Sequence, residues 1–195
     1  MKKGVFIVWA LLYLAAFAIA AKAQGETFTG TIIATGSGRN VGTRTANFTL
    51  TLKGQTSTDD AQRYLTTLQT NGQSALLEGI KNEDLGTLQV GGQLGRTLNV
   101  VRERNIDGKR KIYVLFERWT EFAELRGGYR SLDYPFGYVE LTIDPRTGNG
   151  EGKYFAAAKV RMKKSKDSGV YNVEVEDYAT FPAKLVQVKS EGKRM

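Results

Sequence analysis

The chain has 195 residues and a formal net charge of +8, and it contains neither histidine nor cysteine. That absence removes the base of a Ser-His-Asp or Cys-His nucleophile, the usual zinc ligands and every disulfide. A hydrophobic share of 41% marks a globular chain that has to be held together by its core alone.

The first segment reads as a secretory signal peptide. Lys2 and Lys3 supply a basic start, Gly4 to Ala21 carries no charge, and Ala21-Lys22-Ala23 is a small-x-small cleavage site. Cleavage after Ala23 predicts an extracytoplasmic protein, periplasmic or secreted, with no membrane span left in the mature chain. The competing reading is a retained anchor, which the length of the apolar run would allow. Its alanine content, its cleavage motif and the lack of a basic stop-transfer flank argue against that. Without cysteine no lipid can be attached to a mature N-terminal thiol, and without twin arginine the general secretory route is expected. Residues 24–195 are then a single domain, modestly basic once Lys2, Lys3 and Lys22 are gone.

Strands are predicted from Phe28 to Thr35 and from Thr45 to Lys53. In the second, Ala46, Phe48, Leu50 and Leu52 alternate with Thr45, Asn47, Thr49 and Thr51, so one face is buried and one is wet. Helical spacing follows: Ala61, Tyr64, Leu65 and Leu68 form one apolar stripe, capped by Ser57 or Thr58 with Asp59 and Asp60 in the first turn. Asn71-Gly72 reads as a stop, and a second, shorter helix from Ser74 to Lys81 buries Leu76, Leu77 and Ile80. Later strands run from Arg96 to Asn105 and from Lys109 to Trp119 around the turn Asp107-Gly108. A further pair runs from Phe136 to Ile143 and from Lys153 to Lys164. The last pair runs from Val170 to Phe181 and from Lys184 to Lys189, divided by Pro182. The tail 190–195 is expected to fray.

These elements predict an α+β domain. Its sheet is mainly antiparallel, open or partly closed into a barrel, with a helix pair inserted between the N-terminal hairpin and the later strands.

No motif calls for a cofactor or a metal. Gly36 to Gly42 has the spacing G-x-G-x-x-x-G and leads into a strand, so it reads as a hairpin loop and not as a phosphate cradle, although Arg39 could hold an anion at its tip. Around Asp144 to Glu151 an arginine, Arg146, occupies the place where a calcium loop needs an oxygen ligand. The one S-x-x-K, Ser190 to Lys193, lies in the tail.

Two stretches remain. Glu117, Glu121, Glu124, Asp133 and Glu140 are interleaved with Trp119, Tyr129, Tyr134, Phe136 and Tyr138; paired carboxylates beside aromatic rings suit glycoside hydrolysis. The bland reading is a connection carrying surface ion pairs. Lys159, Arg161 and Lys163 alternate with Val160 and Met162, which sets three cations on one strand face, and Lys164 follows. Arg102 and Arg104 add charge near the Asp107 hairpin. If these regions adjoin, they make an anion-binding surface; the bland reading is a solvated edge that discourages aggregation.

Phe28-Thr29-Gly30-Thr31-Ile32, Gly72-Gln73-Ser74-Ala75-Leu76-Leu77 and Tyr134-Pro135-Phe136-Gly137 together resemble a family of secreted bacterial proteins of unknown function. The resemblance implies an extracytoplasmic bacterial setting and carries no site residue. The expected function is therefore non-enzymatic: a binding or envelope-associated domain whose basic strand face (Lys159, Arg161, Lys163, Lys164, Arg102, Arg104) meets an anionic or amphiphilic partner. Anionic lipid, lipopolysaccharide and acidic glycan fit that description, and nucleic acid does not. The alternatives are a carboxylate-dependent glycan hydrolase and an assembly role through an exposed sheet edge.

Overall fold

The computed structural model describes residues 25–35, 42–119, 133–164 and 171–192. The predicted signal peptide and its cleavage site lie outside the described residues, as do the loop glycines Gly36 and Gly38 with Arg39. Ten strands and one helix make up the described chain: β1 (Glu26–Thr35), β2 (Thr43–Leu52), α1 (Thr58–Ile80), β3 (Gly86–Val90), β4 (Arg96–Thr97), β5 (Val100–Ile106), β6 (Lys109–Glu117), β7 (Phe136–Ile143), β8 (Asn149–Lys164), β9 (Tyr171–Tyr178) and β10 (Ala183–Glu191).

Every strand pairing is antiparallel, and the path runs β4-β3-β2-β1-β10-β8-β7-β6-β5, with β9 added to β8. The two ends of this path belong to one stretch of chain. Leu98 exchanges backbone hydrogen bonds with Leu85 and Gly86 beside β3, and the next residue, Asn99, donates to Leu115 O on β6. The sheet therefore curls into a half-barrel.

Alternation along the strands divides the apolar residues between two faces. Phe28, Phe48, Leu50, Leu88, Ile112, Val114, Leu141 and Leu185 point into the curl. Leu115, Phe136, Tyr138, Phe155 and Val160 point out, where Tyr64, Leu68, Leu76, Leu77 and Ile80 of α1 cover them. The helix starts where Ser57 Oγ accepts the Asp60 N–H at 3.0 Å. Among the described residues no helix is long and apolar enough to cross a membrane.

The predicted helix pair is corrected to a single helical element. Gly72, at φ 79° and ψ −168°, is the one non-helical residue between Thr58 and Ile80, so the axis kinks there without a connecting loop. Glycine takes that left-handed φ without the clash a Cβ would bring. The kink presents Gln73 to β8, and its side-chain amide donates to Val160 O and accepts the Val160 N–H. Those backbone groups sit at a register shift between β8 and β9, so the side chain satisfies what the ladder leaves open.

The Asp107-Gly108 hairpin forms as expected, with φ of 52° and 71°. Strand β3 was not foreseen. Strand β10 runs on to Glu191, paired with Thr27 of β1, past the point where the tail is predicted to fray.

One end of the curl is closed by charge. Glu26 starts β1, Glu103 lies on β5 and Arg110 lies on β6, all facing inward. The Arg110 guanidinium binds Glu26 through two hydrogen bonds of 2.6 Å and also binds Glu103. Ser190 Oγ donates to Glu26 at 2.7 Å. Burial opposes the charge on Arg110, but the hydrogen bonds it donates to Glu103 and Glu26 outweigh it and raise its pKa.

Candidate functional site

Among the described residues the opposite end of the curl is open, and the reason lies in β8. This strand is 16 residues long and serves two partners on one edge. Asn149 to Tyr154 pair with β10, and Ala158 to Lys164 pair with β9. Between them a bulge shifts the register against β7, and the Ala179 N–H reaches back to Ala157 O. The sheet splits at this point and leaves a cavity of about 600 Å³.

Its walls are largely apolar. Ile32 and Ala34 come from β1, Ala46 from β2, Val90 from β3, Tyr154 and Ala156 from β8, and Ala183 from β10. Tyr178 lines it from the end of β9, and Phe181 from the turn that joins β9 to β10. Arg44, exposed on β2, is the charged residue of the lining, and it makes no ion pair among the described residues. Burial pushes the Tyr154 phenol up to about 12, against a lowering effect of Arg96, so it remains a neutral hydroxyl at physiological pH. Arg96 itself donates to Arg118 O at 2.8 Å and stands 5.7 Å from the Trp119 ring centroid.

An aromatic chain joins the cavity to the core under the helix. Tyr138 and Phe155 lie 5.9 Å apart, Phe155 and Tyr178 5.8 Å, and Tyr178 and Phe181 6.4 Å. The buried end anchors the outer end, where Phe181 is 63% exposed.

The basic strand face predicted on β8 lies next to this opening. Val160, Val173 and Val175 pack toward the helix, so alternation turns Lys159, Arg161 and Lys163 to the face that continues the inside of the curl. They do not stand alone there. Arg161 and Lys163 both bind Glu174, at 2.6 and 2.8 Å, and Lys159 sits 5.3 Å from the Tyr134 ring centroid. Burial raises the Glu174 pKa, yet the hydrogen bonds from Lys163 and Arg161 prevail and hold it below its ordinary value. Hydrogen bonds from the Tyr134 hydroxyl and the Tyr178 N–H likewise hold Asp177 low. Lys164 ends the strand, and its side chain lies outside the described set.

Arg102 and Arg104 are not part of this surface. They share the outward face of β5 with Val100, and Arg102 donates to Thr56 O at 2.7 Å. Three strand spacings, about 14 Å, and the thickness of the sheet separate them from β8.

Of the five carboxylates considered for hydrolysis, Glu121 and Glu124 lie outside the described residues. Glu117 is opposite Phe136 in the β6–β7 register and Glu140 is opposite Tyr113, four residues along the strand. Their Cα atoms are thus about 13 Å apart along the strands. Glu140 is in ion-pair contact with Lys111. The Asp144 turn is an ordinary hairpin in which Asp144 accepts the Arg146 N–H at 2.8 Å.

The sequence reading missed the cavity because its lining comes from six strands and a turn. The signal that comes nearest is Tyr178-Ala179-Thr180-Phe181-Pro182, where apolar residues run up to a proline that cannot continue a strand. Comparison with protein-family models, with curated proteins and with solved structures finds no match to this chain.

Proposed function

We propose that this protein is an exported, non-enzymatic binding domain that takes an amphiphile in the open end of its half-barrel. The apolar body occupies the cavity between β1, β2, β8 and the Phe181 turn, and an anionic head meets Arg44 and the cations of β8. The observation that carries this reading is the cavity itself, of about 600 Å³, apolar along its walls and bearing one unpaired arginine at its rim. Small-molecule sites are typically concave spaces of roughly 300–1,000 Å³ with mainly apolar walls and few polar groups. The predicted signal peptide supports export, and anionic lipid is the ligand class that suits both halves of the site.

Titration with a fluorescent long-chain fatty acid tests the reading. Saturable binding is expected, and Ala46→Trp, which fills the cavity from β2, should abolish it. Arg44→Gln should weaken the acid by about tenfold, equivalent to about 1.4 kcal/mol, and leave an uncharged alcohol of the same chain length unaffected. Absence of saturable binding, or binding that survives Ala46→Trp, overturns the proposal.

A further inference from the structure

Four large apolar side chains stand exposed among the described residues, and three of them, Leu94, Tyr178 and Phe181, lie at the open end of the curl. Leu94 is 90% exposed on the turn that follows Val90, a residue of the cavity wall. Phe181 belongs to the turn between β9 and β10. Strand order sets β2 and β1 between these two turns, so Leu94 and Phe181 flank Arg44 and the opening, with three strand spacings, about 14 Å, between their strands.

Single exposed apolar residues are ordinary on protein surfaces. A set of them around the entrance to an apolar cavity, bordered by cations, is the pattern of a surface that meets lipid. The charge agrees. On the face of β8 and β9 beside the opening, Arg161 and Lys163 bind Glu174 and Lys159 lies opposite Asp177, while Arg44 at the cavity makes no ion pair among the described residues. The far end, by contrast, is closed by the cluster in which Arg110 binds both Glu26 and Glu103.

We infer that the open end docks on a bilayer containing anionic phospholipid. Leu94 and Phe181 enter the interface, and Arg44 with the cationic face of β8 lies against the headgroups. The inference rests on the reading of the cavity as an amphiphile site. Docking in this orientation lets a ligand pass between bilayer and cavity without exposing its apolar body to water.

The absence of cysteine makes the test clean. Leu94→Cys, Phe181→Cys and, at the far end, Lys109→Cys each give one attachment point for an environment-sensitive fluorophore. With vesicles of phosphatidylglycerol and phosphatidylcholine, the labels at 94 and 181 should shift to the blue and brighten several-fold. The response should fall with added salt and be much weaker on phosphatidylcholine alone. The label at 109 should not respond. Unchanged labels at 94 and 181, an equal response at 109, or a response that follows protein concentration without vesicles (a second copy on the rim) overturns the inference. Docking and ligand binding fail separately. A chain that binds the fatty acid while both rim labels stay silent overturns docking alone. Rim labels that respond in a chain that never binds the fatty acid overturn the amphiphile reading and leave docking standing.

Discussion

Arg110 shows how one residue closes one end of this fold. Its side chain is 12% exposed, and it holds Glu26 and Glu103, themselves largely shielded from water, in one cluster. Replacing it with alanine removes the guanidinium that both shielded carboxylates bind, and breaking such a pair costs about 3–5 kcal/mol. Chemical denaturation of Arg110→Ala should show a loss of that order; a loss below 1 kcal/mol would mean that water already reaches the cluster. The sequence contains Arg110 as one cation among several in a basic hairpin. Nothing local distinguishes it from Lys109 and Lys111, because its partners lie 84 and 7 residues away.

At the scale of elements, the kink in α1 and the division of β8 belong together. Gly72 turns the helix, Gln73 then caps the backbone of Val160, and β8 can change partners beside it. Gln73→Ala strands a part-buried N–H and C=O and should cost about 1–3 kcal/mol. Gly72→Ala should cost about 1–2 kcal/mol through its positive φ. If the two act through the same contact, the double variant costs less than the sum of the singles, which a thermodynamic cycle measures. The apolar stripes on either side of Gly72 are readable from spacing alone. That they form one kinked element was not, because a glycine after asparagine ends a helix as readily as it bends one. The short β3 escaped notice for a related reason: glycines lie at its start and beyond its end, and its period is too brief to register.

For the whole molecule, the β8–β9 extension carries two carboxylates that the fold holds below their ordinary pKa. Glu174 has a folded pKa below its ordinary 4.5, because Lys163 and Arg161 favour its ionised form despite the opposing effect of burial. Asp177 is lowered from 3.8 by Tyr134 and the Tyr178 N–H. A lowered carboxyl stabilises the fold fully above its unfolded pKa, and that contribution is lost as pH falls through the folded one. Thermal unfolding should therefore be steady from pH 7 to about 5 and weaken below about 4.5. Glu174→Gln should flatten the part of that slope due to this residue. An unchanged slope would show that the pairing persists in the unfolded chain. The effect is modest, since these groups face water.

The same extension explains which part of the candidate site was legible. Lys159, Arg161 and Lys163 stand on one face because alternation in a strand requires it, and that was readable. The pairing of Arg161 and Lys163 with Glu174, the distance of Arg102 and Arg104, and the adjoining cavity depend on which strands lie side by side.

By itself, then, the sequence determined the residues that can serve: no histidine or cysteine for nucleophiles or zinc, strands that alternate, a helix with one apolar face, and the Asp107-Gly108 turn. These follow from side-chain chemistry and from periods of two and 3.6 residues, which act over a few positions. The tertiary structure alone decided that β4 and β5 join the ends of the sheet, that β8 serves both β9 and β10, and that an apolar cavity opens where they part. Those outcomes depend on pairings between residues far apart in the chain, selected by burial of the whole core, and no local pattern encodes them.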